Sequence, residues 1–210
     1  LLSIFKNGAS LQKFPNAYVI TGSIASGKST VVNLLKERGF SVIDADLIAH
    51  EQLEICKREI VEVFGKQILD ETGRIDRKKL GDTVFNELKK LKNLEQILHP
   101  KIKAEILSQA SQLERLGGIY FVDIPLFFEK KDRYDEFKNV AVIYAPKELL
   151  LSRLMSRNAL SLNESKARVE LQMDIEQKKK MAKFVIDNSS DRENLQLELE
   201  KFLRQICAIS

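Results

Sequence analysis

The eight residues Gly22-Ser23-Ile24-Ala25-Ser26-Gly27-Lys28-Ser29 restrict this chain more than any other segment. They form the string G-x4-G-K-S, and the flanking sequence supplies the setting the string needs. The apolar run Tyr18-Val19-Ile20-Thr21 leads into it, and Val31, Val32, Leu34 and Leu35 follow at helical spacing until Gly39. That order is strand, loop, helix. Backbone N–H groups converge on phosphate oxygens where a chain wraps tightly at a helix N-terminus, and Gly22 and Gly27 permit the wrap. Lys28 is then placed to reach the β- and γ-phosphates, the Ser29 hydroxyl to ligate Mg²⁺, and Thr30 to add a donor at the α-phosphate. Gly22, Ser23, Ile24, Ala25, Ser26, Gly27, Lys28, Ser29 and Thr30 are the expected nucleotide-binding set, with Lys28 also catalytic. No Asn-Lys-x-Asp string for guanine occurs, and Asp123 is followed by Ile124 and Pro125 rather than by Glu. GTPases and motor or AAA-type ATPases therefore recede, and ATP is the expected nucleotide.

Further strands are expected at Phe40-Ser41-Val42-Ile43, at 118–125, at Val140-Ala141-Val142-Ile143-Tyr144 and at Phe184-Val185-Ile186. From Leu47 to about Leu116 the chain reads as charged and helical, broken near Glu71-Thr72-Gly73 and again at His99-Pro100. Residues 147–183 read as helical and rich in Lys and Arg. Ser161 with Glu164, and Ser190 with Glu193, have capping-box spacing, and Leu195, Leu199, Phe202, Leu203 and Ile206 form the stripe of a last amphipathic helix. Strands alternating with helices predict an α/β fold with a five-stranded parallel sheet covered on both faces.

Composition bounds the rest. A chain of 210 residues, 44% hydrophobic and 30% charged, suffices for one domain with its own core. A net charge of +4 from 34 basic and 30 acidic residues suits an anionic ligand, and without aromatic-basic interleaving it points away from nucleic acid. Cys56 and Cys207 form no CxxC and read as small apolar residues. No run of about 18 apolar residues occurs, so a membrane is not expected and the expected location is cytoplasmic. No protein partner is evident. Residues 1–14, which open on Leu, are read as an extension or a non-native remnant.

In an open parallel sheet, residues at the carboxyl ends of strands face the ligand crevice. Asp44 and Asp46 stand there, two apart. One carboxylate near Mg²⁺ and one near an acceptor hydroxyl is what phosphoryl transfer requires, with Asp46 favoured as base and Asp44 acting on Mg²⁺ through water. The alternative is that one of them caps the helix beginning near Leu47. Arg153 and Arg157, four apart, share a helix face that suits either a swinging basic lid or plain solvation. Lys178-Lys179-Lys180 reads as a solvated face.

Taken together, these segments resemble the dephospho-CoA kinase family, which phosphorylates the ribose 3′-hydroxyl of dephospho-CoA with ATP. The resemblance runs from the loop Thr21–Thr30 through Val42–Ala49, Gly73–Arg77 with Leu80 and Val84-Phe85, Leu98–Ile102 and Asp123–Glu129. It continues through Arg153, Arg157, Ser161, Arg168 and Gln172 to Ile186-Asp187-Asn188. It implies a P-loop kinase core (15–47, 116–146 and 184–210), a helical substrate-binding insertion (48–115) and a small helical lid (147–183). It implies Asp46 as base at the ribose hydroxyl, Arg153 and Arg157 as catalytic lid residues, and Arg77, His99 and Leu126 as further acceptor contacts. His99 is equally compatible with a packing role. Asn188 borders the adenine pocket by this likeness, or serves only as a turn and cap. ATP and dephospho-CoA are the implied small-molecule ligands. The family has Gly where this chain has Ser23 and Ala25, and a positive φ at Ala25 would carry strain on the order of 1 kcal/mol. The same chemistry on a nucleoside or shikimate-like alcohol, and a nucleotide-dependent nucleic-acid binder, are the competing readings.

Overall fold

The computed structural model describes residues 13–85 and 87–208. Its centre is a five-stranded sheet in the order β2-β3-β1-β4-β5, with every neighbouring pair parallel. The strands are β1 (Ala17–Gly22), β2 (Val42–Asp44), β3 (Tyr120–Asp123), β4 (Asn139–Tyr144) and β5 (Phe184–Asp187). All six residues of β1 and of β4 are buried, as expected for strands covered on both faces. Of the expected second strand, Phe40 and Ser41 lie outside the ladder, and the strand runs one residue further, onto Asp44.

Side chains alternate across β1 and assign its two faces. Tyr18 and Ile20 pack with Val31 and Leu35 of α1 (Lys28–Glu37) and with Leu199, Phe202 and Ile206 of the last helix. Val19 points the other way. It joins a larger core that includes Ile43, Ile48, Ile60, Ile102, Ile106 and Val122. That second core runs without interruption into the helical insertion, which comprises α2 (Ala45–Ile55), α3 (Lys57–Phe64), α4 (Arg77–Phe85) and α5 (Leu88–Leu116). The insertion is thus one body with the sheet. Beyond β4 come α6 (Lys147–Asn158), α7 (Leu162–Glu170) and α8 (Ile175–Met181), and α9 (Arg192–Cys207) closes the chain. No helix among the described residues is long and apolar enough to cross a membrane.

Four local expectations are corrected. Helix α5 does not break at Pro100: it is continuous for 29 residues, with Leu94, Leu98, Ile102, Ile106 and Ala110 buried at a spacing of four. Pro100 lies on the exposed side, where water can satisfy the carbonyl left without a donor. The capping box at Ser161 and Glu164 forms, but that at Ser190 does not. Asp191 caps α9 instead, accepting from Asn194 N. Lys178 is not solvated. It is fully buried against Glu129, while Lys179 lies 3.8 Å over the Tyr144 ring. Finally, the fold starts before residue 15, since Phe14 is buried and stacks on Phe137 at 5.2 Å; residues 1–12 of the supposed extension lie outside the described residues.

Candidate active site

The loop between β1 and α1 takes the wrapped form its glycines permit. Gly27 has φ 95° and Ala25 has φ 62°, so two of five loop residues are left-handed. Ser26 N–H donates to Ser23 O at 3.0 Å, and Thr30 N–H returns to Gly27 O at 3.0 Å. A Cβ on Gly22 would stand 2.5 Å from Ser26 Oγ and 3.0 Å from the Ile143 carbonyl, and one on Gly27 would run into the Asn188 amide. The N–H groups of Lys28 and Ser29, at the start of α1, have no intrahelical acceptor and no capping side chain, and so are left as anion donors. Ala25 does adopt the left-handed conformation that a glycine would take without strain.

Distant segments hold this loop. The Asn188 amide, at the end of β5, donates to Ser26 O at 2.7 Å, and the Asn188 carbonyl accepts from Arg153 Nη2 at 3.0 Å. Gln172, past α7, accepts from Ile24 N–H at 2.8 Å. Asn188 is therefore more than a turn residue. It buttresses the loop and also lines a cavity of about 520 Å³ with Ala25, Gly27, Thr30, Arg153 and Leu195.

At the carboxyl ends of the strands, Lys28 Nζ sits 2.5 and 2.7 Å from the two Asp123 oxygens. The pair is mostly buried, with 16% and 8% of the side chains exposed. Asp44 is the register partner of Asp123 on the neighbouring strand. Burial pushes the Asp123 carboxyl above its ordinary value despite Lys28, and Asp44 and Asp46 add to the push. Asp44 caps α2, its Oδ1 accepting from Leu47 N–H at 3.0 Å, so the capping alternative holds for this residue. Asp46, the second residue of α2, is exposed and is not the side chain that caps it.

A cavity of about 710 Å³ unites most of the expected residues: Gly22 through Thr30, Asp46, Arg153 and Arg157 all line it, beside Pro125 and Gln172. Arg157 is exposed and turned toward Asn158, at 2.9 Å, whereas Arg153 is partly buried against the loop. Leu126, next to Pro125 in sequence, is not part of this lining and is 39% exposed. Arg77 and His99 stand apart from this lining, on the insertion. Arg77 Nη1 meets His50 Nε2 at 2.9 Å, and His99 lies 3.6 Å from Glu95, which pairs with Lys130 at 3.0 Å. Burial, followed by repulsion from Arg133, lowers His99 to about 4, so its ring is neutral near pH 7.

The oxygen donors here suit a hard divalent cation carried on phosphates. The Ser29 hydroxyl lines the cavity, and Asp44 and Asp123 form a carboxylate pair whose mutual repulsion a cation would relieve. Asp44 has one oxygen engaged as a cap, which leaves the other for a cation-bound water. The residues thus fit Mg²⁺.

Two contacts escaped the sequence reading: that of Asp123 with Lys28 and that of Gln172 with Ile24. The latter joins residues 148 positions apart, and no local pattern announces it.

The comparisons with known proteins agree in direction. The family model described as dephospho-CoA kinase matches residues 18–194. The dephospho-CoA kinase of Wolinella succinogenes is 45% identical over 190 residues, covering 90% of this chain and 94% of that protein. That of Sulfurimonas denitrificans is 46% identical over 195 residues, covering 93% and 96%. Among solved structures, the dephospho-CoA kinase from Campylobacter jejuni superposes with a TM-score of 0.76 at 42% identity, covering 91% of this chain and 96% of the other.

Proposed function

The chain belongs to the dephospho-CoA kinase family, and from that premise we propose how its residues divide the work. It phosphorylates dephospho-CoA at the expense of ATP, as a step of coenzyme A biosynthesis. In the proposed arrangement the triphosphate lies across Gly22–Thr30, its charge facing the N-terminus of α1. Lys28 leaves Asp123 for the β- and γ-phosphates. Ser29 would hold Mg²⁺, with Asp44 acting through water, and the ion would supply neutralisation of phosphate charge when bound. The adenine lies toward Asn188.

Asp46 accepts the proton of the acceptor's ribose 3′-hydroxyl. The oxygen so freed bonds to the γ-phosphorus as the bond from that phosphorus to the β–γ bridging oxygen breaks, and ADP leaves with the electron pair. Arg153 and Arg157 stabilise the equatorial oxygens, Arg153 from its seat on Asn188 and Arg157 by swinging inward from its exposed position. Arg77, neutral His99 and Leu126 contact the acceptor on the insertion side. The core, insertion and lid boundaries given above remain part of the proposal, as does a cytoplasmic location, where ATP is supplied.

The observation that carries this reading is the placement of Asp46, free of any capping role, on the wall of the cavity that the phosphate loop lines. The test is ADP release stimulated by dephospho-CoA, with Mg²⁺ supplied or withheld. Asp46→Asn should lower kcat at least about a hundredfold with little change in ATP affinity. Absence of stimulated turnover in folded wild-type protein would reject the reading, and a preference for a free nucleoside would move the acceptor.

A further inference from the structure

The stretch between α7 and α8 touches both the phosphate loop and the segment that follows β3. Gln172 Oε1 accepts from Ile24 N–H at 2.8 Å, and the next residue, Met173, donates its N–H to Glu129 Oε1 at 3.0 Å. The same Glu129 oxygen stands 2.8 Å from Lys178 Nζ, on a side chain with no exposed surface. Glu129 comes four residues after Pro125, which lines the cavity. The pair is held by charge more than by a full set of hydrogen bonds, since Glu129 Oε2 and Lys178 Nζ lack aligned partners among the described residues.

A buried ion pair is seldom better for stability than well-packed apolar residues of the same volume. Stability alone therefore gives no reason for two charges here. Geometry gives one: an ammonium fixed inside α8 pins the carboxylate, the carboxylate pins the backbone at Met173, and the adjacent Gln172 then has a single direction in which to present its oxygen. The loop residue it reaches, Ile24, immediately precedes the strained Ala25, and the Gln172 contact is what ties down the Ile24 N–H.

We propose that Glu129 and Lys178 are positioning residues for nucleotide binding. Their ion pair fixes Met173 so that Gln172 holds the first half of the phosphate loop in the shape that receives a triphosphate. The proposal rests on the ATP-binding reading above, but it concerns affinity for nucleotide and not the identity of the acceptor.

The test measures ATP binding by calorimetry without acceptor, alongside thermal unfolding, in four variants. Gln172→Ala should keep the wild-type melting temperature within a few degrees and bind ATP about tenfold more weakly, the effect of one lost hydrogen bond. The double variant Glu129→Leu with Lys178→Met removes both charges together. It should fold, and still bind ATP about tenfold more weakly, because Met173 has lost its anchor. Glu129→Gln with Lys178→Met removes the charges but keeps an amide oxygen for Met173, and should recover most of the affinity. Adding Gln172→Ala to the Leu/Met pair should cause no further loss, since both act through one contact. Wild-type affinity in the Leu/Met protein or in Gln172→Ala would overturn the proposal, as would additive losses in the triple variant. If the Leu/Met protein does not fold, Gln172→Ala and the Gln/Met pair decide. A wild type that binds ATP but ignores dephospho-CoA would refute the acceptor while leaving this test intact.

Discussion

Replacing Lys28 by Met should destabilise the nucleotide-free protein in a way that depends on pH. The Lys28 ammonium contacts both oxygens of Asp123, and the two side chains are only 16% and 8% exposed. Removing one partner of a buried pair costs about 3–5 kcal/mol, and the residual exposure of Lys28 places this case near about 3 kcal/mol. For a chain of this size that corresponds to a fall in Tm of about 6–12 °C. The cost arises from the carboxylate left behind, so its sign with pH follows from Asp123. Its folded pKa already lies above the unfolded value because of burial, and without Lys28 the remaining influences, Asp44 and Asp46, push it further upward. The folded variant therefore holds a proton that the unfolded chain has lost. Its penalty is full above the folded pKa and shrinks as pH falls toward the unfolded value. Urea unfolding of both proteins from pH 8 to pH 5 should show a gap of about 3 kcal/mol at the alkaline end that narrows on acidification. A gap that stays constant, or widens on acidification, would refute the idea that an unpaired Asp123 carries the cost.

Three further outcomes follow from the geometry. Gly27→Ala should abolish measurable ATP binding and cost about 2–3 kcal/mol in unfolding experiments, because φ 95° and the Asn188 amide both exclude a Cβ; near-normal binding would contradict the loop geometry. His99, held down to about 4 by burial and Arg133, withdraws stability as pH falls from 6.5 to 4, when the unfolded chain takes up a proton that the folded one refuses. His99→Gln should flatten that part of the stability curve, and an unchanged slope between pH 4.5 and pH 7 would show that His99 is not its source. Pro100→Ala should raise stability by about 1–2 kcal/mol, since α5 is continuous there and gains an N–H that can bond to Gln96 O; a lower Tm would mean that the proline shapes the helix usefully.

What the sequence discloses is what short range determines. The strand-loop-helix around Gly22 and Gly27, the apolar strands and the box at Ser161 depend on neighbours within a few residues. Pro100 misled because one strong local signal outweighed the stripe Leu94, Leu98, Ile102, Ile106 and Ala110, which records a helix that never pauses. Lys178 misled because it stands beside two other lysines, while the carboxylate that buries it is 49 residues away. At the end of β5, Asp191 and not Ser190 caps α9, an offset of one residue that spacing does not resolve. In the site, Asp44 and Asp46 look equivalent on paper. They separate only when the helix start is seen to fall between them, assigning one to a cap and leaving the other to the cavity.

The bond from Asn188 to Ser26 also fixes when this protein becomes able to hold nucleotide. β1 leaves the ribosome before its neighbours β3 and β4, which arrive about a hundred residues later, and the amide that closes the loop is 162 positions downstream. A nascent chain therefore carries the whole G-x4-G-K-S string with no formed pocket around it until those segments have followed. Nucleotide can favour the folded state only after β5 has emerged, so ATP stabilises the finished protein and offers no help to its early folding intermediates.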